Sequence, residues 1–467
     1  MDTSAADDHS DEPLTPVGRL LLQPEMNQII HCAMGFKNSI DIDAVKSHLK
    51  TSLLLSHPRF SSLMLRDSRG LQHWHNAPYV DLDRHIIVIQ NPVTTSPVDH
   101  ETAVNEYLAD LSTSSTRLSA NKPLWELHLL MAHNCGVFRI HHALGDGVSV
   151  MSLFLESFRT RGSDGNEEKI LGRGRRKRVN GEKGWWGLLI GYVGTLWFSL
   201  VFLVEHAMRS LWLCDQKTAI SGGEGVELWP RKLATARFRL QDMKLVKKAV
   251  PNATINDVLV GVVSSGLSRY LDHQTPNALH DGIRITGLAM VNLRKQPGLQ
   301  VSNSCLESNS ESSWGNKFGM FLLPIYYHKS SDLDPLVYLK RAKLVLDRKK
   351  QSLEADFSYK VGCFLITYFG AKVASWLLYK MVCNTSFTIS NILGPQEEIA
   401  IGGNLVTYLK VNTCSLPQAL TMHMVSYAER ADLQILVAKD IIPDPTFLAK
   451  CFEEALLDMK EAASSHE

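Results

Sequence analysis

The sequence lacks paired cysteines, an excess of charge of either sign, and an apolar leader at its start. Its eight cysteines are scattered without a C-x-x-C pair, which excludes a zinc knuckle or a disulfide framework and indicates free thiols in a reducing compartment. Lys plus Arg number 49 against 48 Asp plus Glu, so the charge gives no reason to expect nucleic-acid binding. The first dozen residues are acidic and polar, whereas a secretory signal needs a basic start and an apolar run. We therefore expect a cytosolic chain.

Long apolar runs are scarce, which excludes a multi-spanning membrane protein because such a protein needs several runs of about 20 residues. Hydrophobic residues nevertheless make up 45% of the 467 residues, which is ample for a core and excludes long disorder. At about 150 residues per domain, this length predicts roughly three domains or two large ones.

Changes in composition divide the chain into five segments. Residues 1–12 predict a disordered tail, and residues 13–160 alternate apolar and polar runs as mixed helices and strands do. Residues 161–184 contain six glycines and a basic cluster, which is typical of a linker. An apolar segment, 185–213, comes next, and the mixed pattern resumes over 226–467. This plan predicts two globular halves joined by a basic linker and an apolar segment.

The stretch GVFRIHHALGDGVS at residues 136–149 is the most informative part of the chain. Strand alternation places His142 on the same apolar face as Phe138 and Ile140, at the end of a strand. A Gly-Asp-Gly turn then precedes a helix, with Asp146 near its N-cap. A buried structural histidine and a simple capping aspartate are the alternatives to a catalytic role for these residues.

A histidine on an apolar face stays neutral near pH 7, because burial disfavours its charged form. A neutral imidazole can remove a proton from an alcohol as the alcohol attacks a carbonyl, which contributes about 10²–10⁴ in rate. A metal site is a poorer interpretation, since His141 and His142 point to opposite faces of a strand and no third ligand stands nearby. We expect no metal.

An ordered set of motifs now narrows the family. His141-His142-Ala-Leu-Gly-Asp146-Gly147 matches the HHxxxDG motif of acyl-CoA-dependent acyltransferases with a chloramphenicol-acetyltransferase-like fold. The other motifs are Pro13-Leu-Thr-Pro-Val-Gly-Arg-Leu, Pro123-Leu-Trp-Glu-Leu-His, Asn256-Asp257-Val, Val291-Asn-Leu-Arg294, Gly315-Asn-Lys-Phe-Gly319 and Ser390-Asn-Ile-Leu-Gly394-Pro395. In this order they resemble the plant-type bifunctional wax ester synthase/diacylglycerol acyltransferases, over residues 13–460.

The resemblance implies an α/β fold of two chloramphenicol-acetyltransferase-like halves with mixed sheets and an active-site tunnel between them. It implies an ester synthase that transfers a fatty acyl group from acyl-CoA to a long-chain alcohol, and in some members to diacylglycerol, without an acyl-enzyme. In that family the second motif histidine is the general base, so this role falls on His142, with His141 and Gly147 as motif support. Asp146 then orients the loop, and Arg294 is its candidate partner.

The resemblance also sets expectations for ligands and location. Acyl-CoA is a co-substrate, no bound cofactor is needed, and the other partners are the alcohol or diacylglycerol and membrane lipid, without nucleic acid. The expected location is the endoplasmic reticulum membrane with both catalytic halves facing the cytosol, and the plasma membrane is the alternative.

Four further residues are candidates for lining the active site. Asn256 and Asp257 either line the site or start a helix, with Thr254 as its cap. Ser390 and Asn391 either donate hydrogen bonds to the developing oxyanion or shape the exit of a strand.

The apolar run 185–204 is 20 residues without a charge, long enough to span a bilayer as a helix. A single crossing would separate His142 from Arg294 and Ser390, so we expect 185–213 to enter and return or to lie in one leaflet; a buried core helix is the alternative. The basic cluster at 173–178 would stay on the cytosolic side or meet anionic head groups. A second apolar stretch, Tyr359–Met381, is punctuated by lysines and predicts a docking or core helix.

Two other functions compete with this interpretation. A soluble acyltransferase of the plant BAHD type, acting on small alcohols or amines, shares the histidine motif. That family also carries an Asp-Phe-Gly-Trp motif, which is absent here, and it has no 20-residue apolar run. A non-catalytic lipid-binding membrane protein would tolerate a broken His-x-x-x-Asp spacing, whereas this spacing is intact.

Overall fold

The computed structural model describes residues 12–94, 99–113, 117–158, 185–276, 278–294, 314–329 and 334–465. Within these ranges the chain forms two six-stranded mixed sheets, a small three-stranded sheet and the helices that cover them. The predicted tail at 1–12, apart from Glu12, and the linker at 161–184 with its basic cluster lie outside the described residues.

The strands, numbered in chain order, fall between Glu12 and Ala438. They are β1 (Glu12–Pro13), β2 (Ile29–Phe36), β3 (Ser62–Arg66), β4 (Gln72–Asn76), β5 (Ile86–Ile89), β6 (Trp125–Leu130), β7 (Cys135–His141), β8 (Arg231–Arg239), β9 (Arg284–Asn292), β10 (Phe318–Tyr326), β11 (Phe387–Leu393), β12 (Ala400–Ile401), β13 (Asn404–Thr413), β14 (Leu420–Tyr427) and β15 (Arg430–Ala438).

The helices connect and cover these strands. They are α1 (Pro16–Leu21), α2 (Ile42–Thr51), α3 (Leu53–Ser56), α4 (Pro58–Ser61), α5 (Leu82–His85), α6 (His100–Leu111), α7 (Gly147–Phe158), α8 (Trp185–Leu211), α9 (Leu240–Lys248), α10 (Ile255–Gln274), α11 (Leu336–Gln351), α12 (Glu354–Phe369), α13 (Ala371–Cys383) and α14 (Pro445–Ser464). Short 3₁₀ turns lie at Pro24–Met26, Met131–His133 and Val226–Leu228.

The N-terminal lobe is built on the sheet β12-β13-β2-β7-β6-β5, in which β5 and β6 are parallel and the other pairs antiparallel. The C-terminal lobe is built on β10-β9-β11-β14-β15-β8, in which β11 runs parallel to both neighbours. Each sheet therefore mixes parallel and antiparallel pairs, which confirms the predicted fold class. The long helices α10, α11 and α14 pack together on the C-terminal lobe.

The strands of the two sheets do not follow chain order, and the predicted boundary at residue 226 stays a prediction. Strand β13, which comes from the second half of the sequence, pairs with β2 in the N-terminal sheet, and β12 pairs with the other edge of β13. Every residue of β2 is buried, so its outer edge needs a partner for its backbone groups, and β13 supplies one. Strand order depends on pairing between segments that are far apart in sequence, and changes in composition along the chain do not predict such pairing.

The lobes meet across a shared apolar interface. Ala33 and Val137 on the N-terminal sheet belong to one buried cluster with Leu233 and Leu436 on the C-terminal sheet. Strand β13 also packs against β14 and β15, so the two sheets are in direct contact. Any cavity between the sheets is thus walled by both halves of the sequence.

The apolar segment forms one continuous helix, α8, of 27 residues, so the chain does not enter and return within it. Arg209 is 3% exposed and bonds Glu205 at 3.1 Å and Asp215 at 3.0 Å, and it donates to Thr286 Oγ1 at 2.8 Å. These buried bonds fasten the end of α8 to the C-terminal sheet.

Within the part of the chain that the structure describes, no helix meets the length and hydropathy needed to cross a bilayer.

The second apolar stretch is two helices, α12 and α13, where one was predicted. Gly370 separates them with φ +84°, a left-handed conformation that side chains other than glycine rarely adopt. Helix α13 packs against α8, and α12 contacts both, so the three helices form one group beside the sheets.

Candidate active site

His142 follows the last residue of β7, close to the predicted position at the strand's end. Its backbone N–H donates to the carbonyl of Gln28 at 2.9 Å, which continues the contact between β7 and the chain before β2. The strand itself is held by the apolar face that carries Phe138 and Ile140 in the N-terminal core. The ring is half-buried at the edge of the N-terminal lobe.

One amide group orients the His142 ring. Asn316 Nδ2 donates to the backbone carbonyl of His142 at 2.8 Å, so Asn316 Oδ1 is the atom that faces the ring, 3.0 Å from His142 Nδ1. An amide oxygen accepts only, and Nδ1 must therefore carry the proton and donate it. This tautomer leaves the lone pair of Nε2 free to accept a proton.

Burial lowers the pKa of His142 below its ordinary value, and the nearby carboxylate of Asp146 opposes that shift only in part. The imidazole is consequently neutral near pH 7. Once it takes up a proton, the bond to Asn316 and the charge of Asp146 both stabilise the imidazolium. The site thus favours a base that can hold a proton during one step and then release it.

The ring faces a cavity of about 440 Å³ that is lined by residues of both sheets. This size falls in the range of about 300–1,000 Å³ that small-molecule sites occupy. The cavity wall is mostly apolar and draws on both sheets and on the three-helix group. Representative lining residues are Leu20, Ile30, Leu203, Leu288, Leu365 and Leu378. A cavity with walls from both halves is therefore present beside His142, where the tunnel was predicted.

Asp146 pairs with Arg294, as predicted. Arg294 Nη1 lies 2.8 Å from Asp146 Oδ2, and both side chains are buried. The other carboxylate oxygen of Asp146 accepts from the backbone N–H of Ser149 at 2.9 Å, which caps the start of α7. Asp146 Oδ2 also accepts from the backbone of Lys317 at 3.0 Å. Both carboxylate oxygens of Asp146, which also lines the cavity, are thus engaged by partners that orient the loop.

The ion pair also positions Asn316. Arg294 Nη2 donates to the carbonyl of Gly315 at 2.7 Å, on one side of Asn316, while Asp146 holds Lys317 on the other. Trp314 Nε1 adds a bond to the carbonyl of Leu144 at 2.9 Å. The segment that carries Asn316 is therefore fixed to the histidine motif by bonds on both flanks.

His141 has a structural role on the opposite side of the strand. Its Nε2 donates to Asn27 Oδ1 at 2.7 Å, and its Nδ1 accepts from the backbone of Ala143 at 3.0 Å. Burial lowers the pKa of His141 to about 3, so it is a neutral group with both nitrogens engaged. Gly147 allows the lobes to approach, since an added Cβ would lie 2.7 Å from Ile392 Cδ1.

Of the four remaining candidates, two line the cavity and two do not. Ser390 and Asn391, on β11, line the cavity with His142, although the amide of Asn391 donates to Asn256 Oδ1 at 2.7 Å. Asn256 is exposed and Asp257 is fully buried in a capping box with Thr254; neither lines the cavity. The helix-start alternative holds for Asp257, because its carboxylate accepts a hydrogen bond from the backbone N–H of Thr254 at the N-terminus of α10.

Two residues at the site had no predicted role. Asn316 lay within the Gly315–Gly319 motif, but the bond to His142 joins residues 174 positions apart and no local pattern reports it. His423, on β14, also lines the cavity and is 5% exposed. The sequence pattern that could have indicated His423 is a histidine between two apolar residues on a strand that is buried.

No three His, Cys, Asp or Glu side chains are grouped so as to hold a metal ion in the described ranges. That the reaction needs neither metal nor bound cofactor stays a prediction.

A buried histidine beside an apolar cavity between two mixed sheets is the arrangement expected of the two-lobed acyltransferases that the sequence resembles. Comparison with known proteins gives the particular family. The model of the wax ester synthase/diacylglycerol acyltransferase catalytic domain matches residues 41–259, and that of the WS/DGAT C-terminal domain matches residues 314–460.

Relatives from Arabidopsis thaliana match almost the entire chain. Wax ester synthase/diacylglycerol acyltransferase 11 is 33% identical, over 97% of this chain and 95% of that protein. Wax ester synthase/diacylglycerol acyltransferase 9 is 34% identical, over 97% of this chain and 96% of that protein. The chain belongs to the wax ester synthase/diacylglycerol acyltransferase family and is an acyltransferase. The BAHD-type and non-catalytic alternatives are thereby set aside.

Solved structures support the same fold. The wax ester synthase/diacylglycerol acyltransferase from Marinobacter aquaeolei VT8 matches with a TM-score of 0.59 at 15% identity, over 97% of this chain and all (100%) of that one. A trichothecene 15-O-acetyltransferase from Fusarium sporotrichioides matches with a TM-score of 0.60 at 13% identity, over 97% and 95% of the two chains.

Proposed function

We propose that this chain transfers fatty acyl groups from acyl-CoA to long-chain alcohols, forming wax esters, and to diacylglycerol, forming triacylglycerol. The observation that carries the proposal is the neutral His142 ring, oriented by Asn316, at the wall of an apolar cavity between the lobes. An apolar wall suits alkyl chains, because burying each methylene is favourable by about 0.8 kcal/mol.

The proposed reaction needs one base and no acyl-enzyme. His142 Nε2 takes the proton of the alcohol hydroxyl while the oxygen attacks the thioester carbonyl, and a tetrahedral intermediate forms. The intermediate collapses by breaking the carbon–sulfur bond, and the imidazolium returns its proton to the departing CoA thiolate. Ester and free CoA are the products. The described cavity wall contains no cysteine, which fits direct transfer.

Substitution of His142 tests this assignment. Membranes bearing the protein are given labelled palmitoyl-CoA with hexadecanol, or with diacylglycerol, and the labelled esters are separated and counted. We expect His142→Ala to lower ester formation by about 10²–10⁴, the usual contribution of a general base. A variant that makes wax ester at the wild-type rate would overturn the base assignment, and a wild-type chain inactive with every long-chain acceptor would overturn the proposed substrates.

Membrane lipid is the proposed source of the acceptor. Helices α8, α12 and α13 line the cavity with residues such as Leu203, Leu365 and Leu378. The same helices expose large apolar side chains to the outside, including Trp197, Leu200, Phe364, Tyr368, Phe369 and Trp376. An exposed apolar surface of this kind is typical of a membrane contact.

We place this surface on the endoplasmic reticulum membrane, with both lobes in the cytosol and with the plasma membrane as the alternative site. An acceptor dissolved in the bilayer would then reach the cavity without crossing water. Protease protection of tags at the two termini, in isolated microsomes, tests the arrangement: both tags should be cleaved from the cytosolic side, and protection of one tag would contradict it.

A further inference from the structure

The cavity contains a second buried histidine that the proposed mechanism does not use. His423 lies on β14, directly opposite Ser390 of the parallel strand β11, so the two side chains are neighbours on one face of the C-terminal sheet. Both residues line the cavity that His142 faces. The base therefore comes from one lobe, and His423 faces the same space from the other.

The two ring nitrogens of His423 are in different surroundings. Nδ1 is buried, and it has no hydrogen-bond partner among the residues that the structure describes. The ring as a whole is 5% exposed and lines the cavity, so Nε2 is the nitrogen with access to that space. A polar group buried in this way without a partner needs an explanation.

His423 is neutral at physiological pH. Burial, with a further contribution from the neighbouring His142, lowers the pKa of His423 to about 4. A neutral imidazole carries one N–H donor and one lone pair. A proton on Nδ1 would be a buried donor without an acceptor, which is rarer in proteins than an unused acceptor. The proton therefore belongs on Nε2, where it points a donor into the cavity.

The two histidines have different surroundings, and this difference indicates different roles in the reaction. His142 has Asn316 and Asp146 to stabilise its protonated form, whereas His423 has neither a carboxylate nor an amide bonded to it in the described part of the chain. Titratable groups whose surroundings separate them in this way take different roles in a reaction. His142 accepts the proton, and His423 keeps its own.

We propose that His423 is a second catalytic residue, whose Nε2–H donates a hydrogen bond to the thioester carbonyl oxygen as that oxygen becomes negative. The inference rests on the acyl transfer proposed above. When the alcohol oxygen bonds to the carbonyl carbon, the electron pair of the C=O bond moves to this oxygen. It returns when the carbon–sulfur bond breaks, and the His423 proton stays on its nitrogen throughout. A fixed donor aimed at charge that develops only in the transition state lowers the barrier.

Paired substitutions at His423 separate this role from packing. His423→Leu removes the donor, while His423→Gln keeps an N–H at the end of a side chain of similar reach. We expect the Leu variant to lower kcat by about 10²–10³ with little change in KM, as the loss of one oxyanion donor does, and the Gln variant to keep most of the activity. His280→Leu, exposed in the loop after α10, is the matched control and should behave as wild type. Equal losses in the Leu and Gln variants, or no loss in either, would overturn the proposal.

Binding of two CoA analogues gives a measurement that does not depend on turnover. One is a long-chain trifluoromethyl ketone, which mimics the tetrahedral state, and the other is the matching alkyl thioether, which has no carbonyl oxygen. His423→Leu should weaken the ketone about a hundredfold and leave the thioether unchanged, since only the ketone presents the oxyanion. Parallel weakening of both analogues, or of neither, would contradict the role. If the analogues behave as expected but wild-type protein forms no ester, the proposed acceptors fail and the role of His423 stands.

Discussion

Asn316 matters because an imidazole can act as a base only through a nitrogen that does not carry the proton. Its amide is fixed by the carbonyl of His142 at 2.8 Å, and this leaves Oδ1 for the ring. The tautomer of the base is thus set by a residue that touches no substrate in the proposed mechanism. Asn316 is a positioning residue, and its effects should differ from those of removing the base.

Substitution of Asn316 should lower kcat and shift the pH profile. Asn316→Ala removes the bond that stabilises the imidazolium, so the pKa of His142 should fall further below its ordinary value and the acid limb of the profile should move to lower pH. Loss of ring orientation should cost roughly tenfold or more in kcat. Steady-state rates from pH 5 to 9 measure both effects.

The matched control for this variant is Asn76→Ala on the exposed end of β4. An acid limb that moved to higher pH, or a kcat equal to that of the control, would contradict the positioning role.

At the residue scale the sequence motifs were informative in part. The motif predicted His142 as the base, which stays a prediction, and the resemblance implied the Asp146–Arg294 pair that the structure contains. Asn316 and His423 could not be assigned roles, because their functions depend on neighbours brought close by the fold. Asp257 was a candidate for the active site, but the structure places it in the capping box of α10. A helix start and an active-site position give the same local sequence pattern, so the sequence alone did not separate them.

At the scale of elements, the Asp146–Arg294 pair links the turn between β7 and α7 to the segment before β10. The pair is buried, and each group makes further hydrogen bonds to backbone or hydroxyl groups of the other segment. Two segments that are far apart in sequence are therefore bonded to each other beside His142.

Breaking this pair should be costly. Arg294→Met leaves the Asp146 carboxylate buried without its partner, and we expect the free energy of unfolding to fall by about 3–5 kcal/mol. Chemical denaturation measures the change.

The exposed pair Lys450–Glu454, 3.7 Å apart, provides a control in the same chain, and Lys450→Met should cost less than about 1 kcal/mol. Similar losses for the two variants would show that the Asp146–Arg294 bond does not hold the motif.

Helices α8, α12 and α13 carry the proposed membrane contact. Arg209 fastens the end of α8 to the C-terminal sheet, while the exposed apolar residues lie on the outside of the group. Neither the continuity of α8 nor the break at Gly370 could be predicted from composition, since apolar content is the same in a hairpin and in a straight helix.

A charge on this surface should weaken lipid binding. Trp376→Glu replaces a side chain that is 48% exposed on α13, and vesicle affinity should fall about tenfold or more, because inserting an aromatic side chain is worth about 1.5–3 kcal/mol. Flotation with phosphatidylcholine/phosphatidylserine vesicles measures the bound fraction. Leu457→Glu, on α14 and 49% exposed, is the control and should bind as wild type. Equal vesicle binding by the two variants would contradict a membrane contact at helices α8, α12 and α13.

For the whole molecule, the arrangement of the lobes determines what the site can do. Strand β13 crosses from the second half of the sequence into the first sheet, and the cavity therefore has walls from both halves. The sequence predicted two lobes and a tunnel, but it did not predict this exchange, since pairing of β13 with β2 joins residues far apart in the chain. The exchange couples the lobes, so neither half contains the complete cavity.

The pH dependence of kcat/KM for ester formation reports the ionisation of the free enzyme's base, so it tests whether a neutral His142 accepts the alcohol proton. With palmitoyl-CoA and hexadecanol, the rate should fall on the acid side with an apparent pKa below 6.5, since burial lowers the pKa of His142 from that value. The residual rate of His142→Ala should lack this limb. An acid limb centred above 6.5, or one that His142→Ala retains, would contradict a neutral His142 as the base.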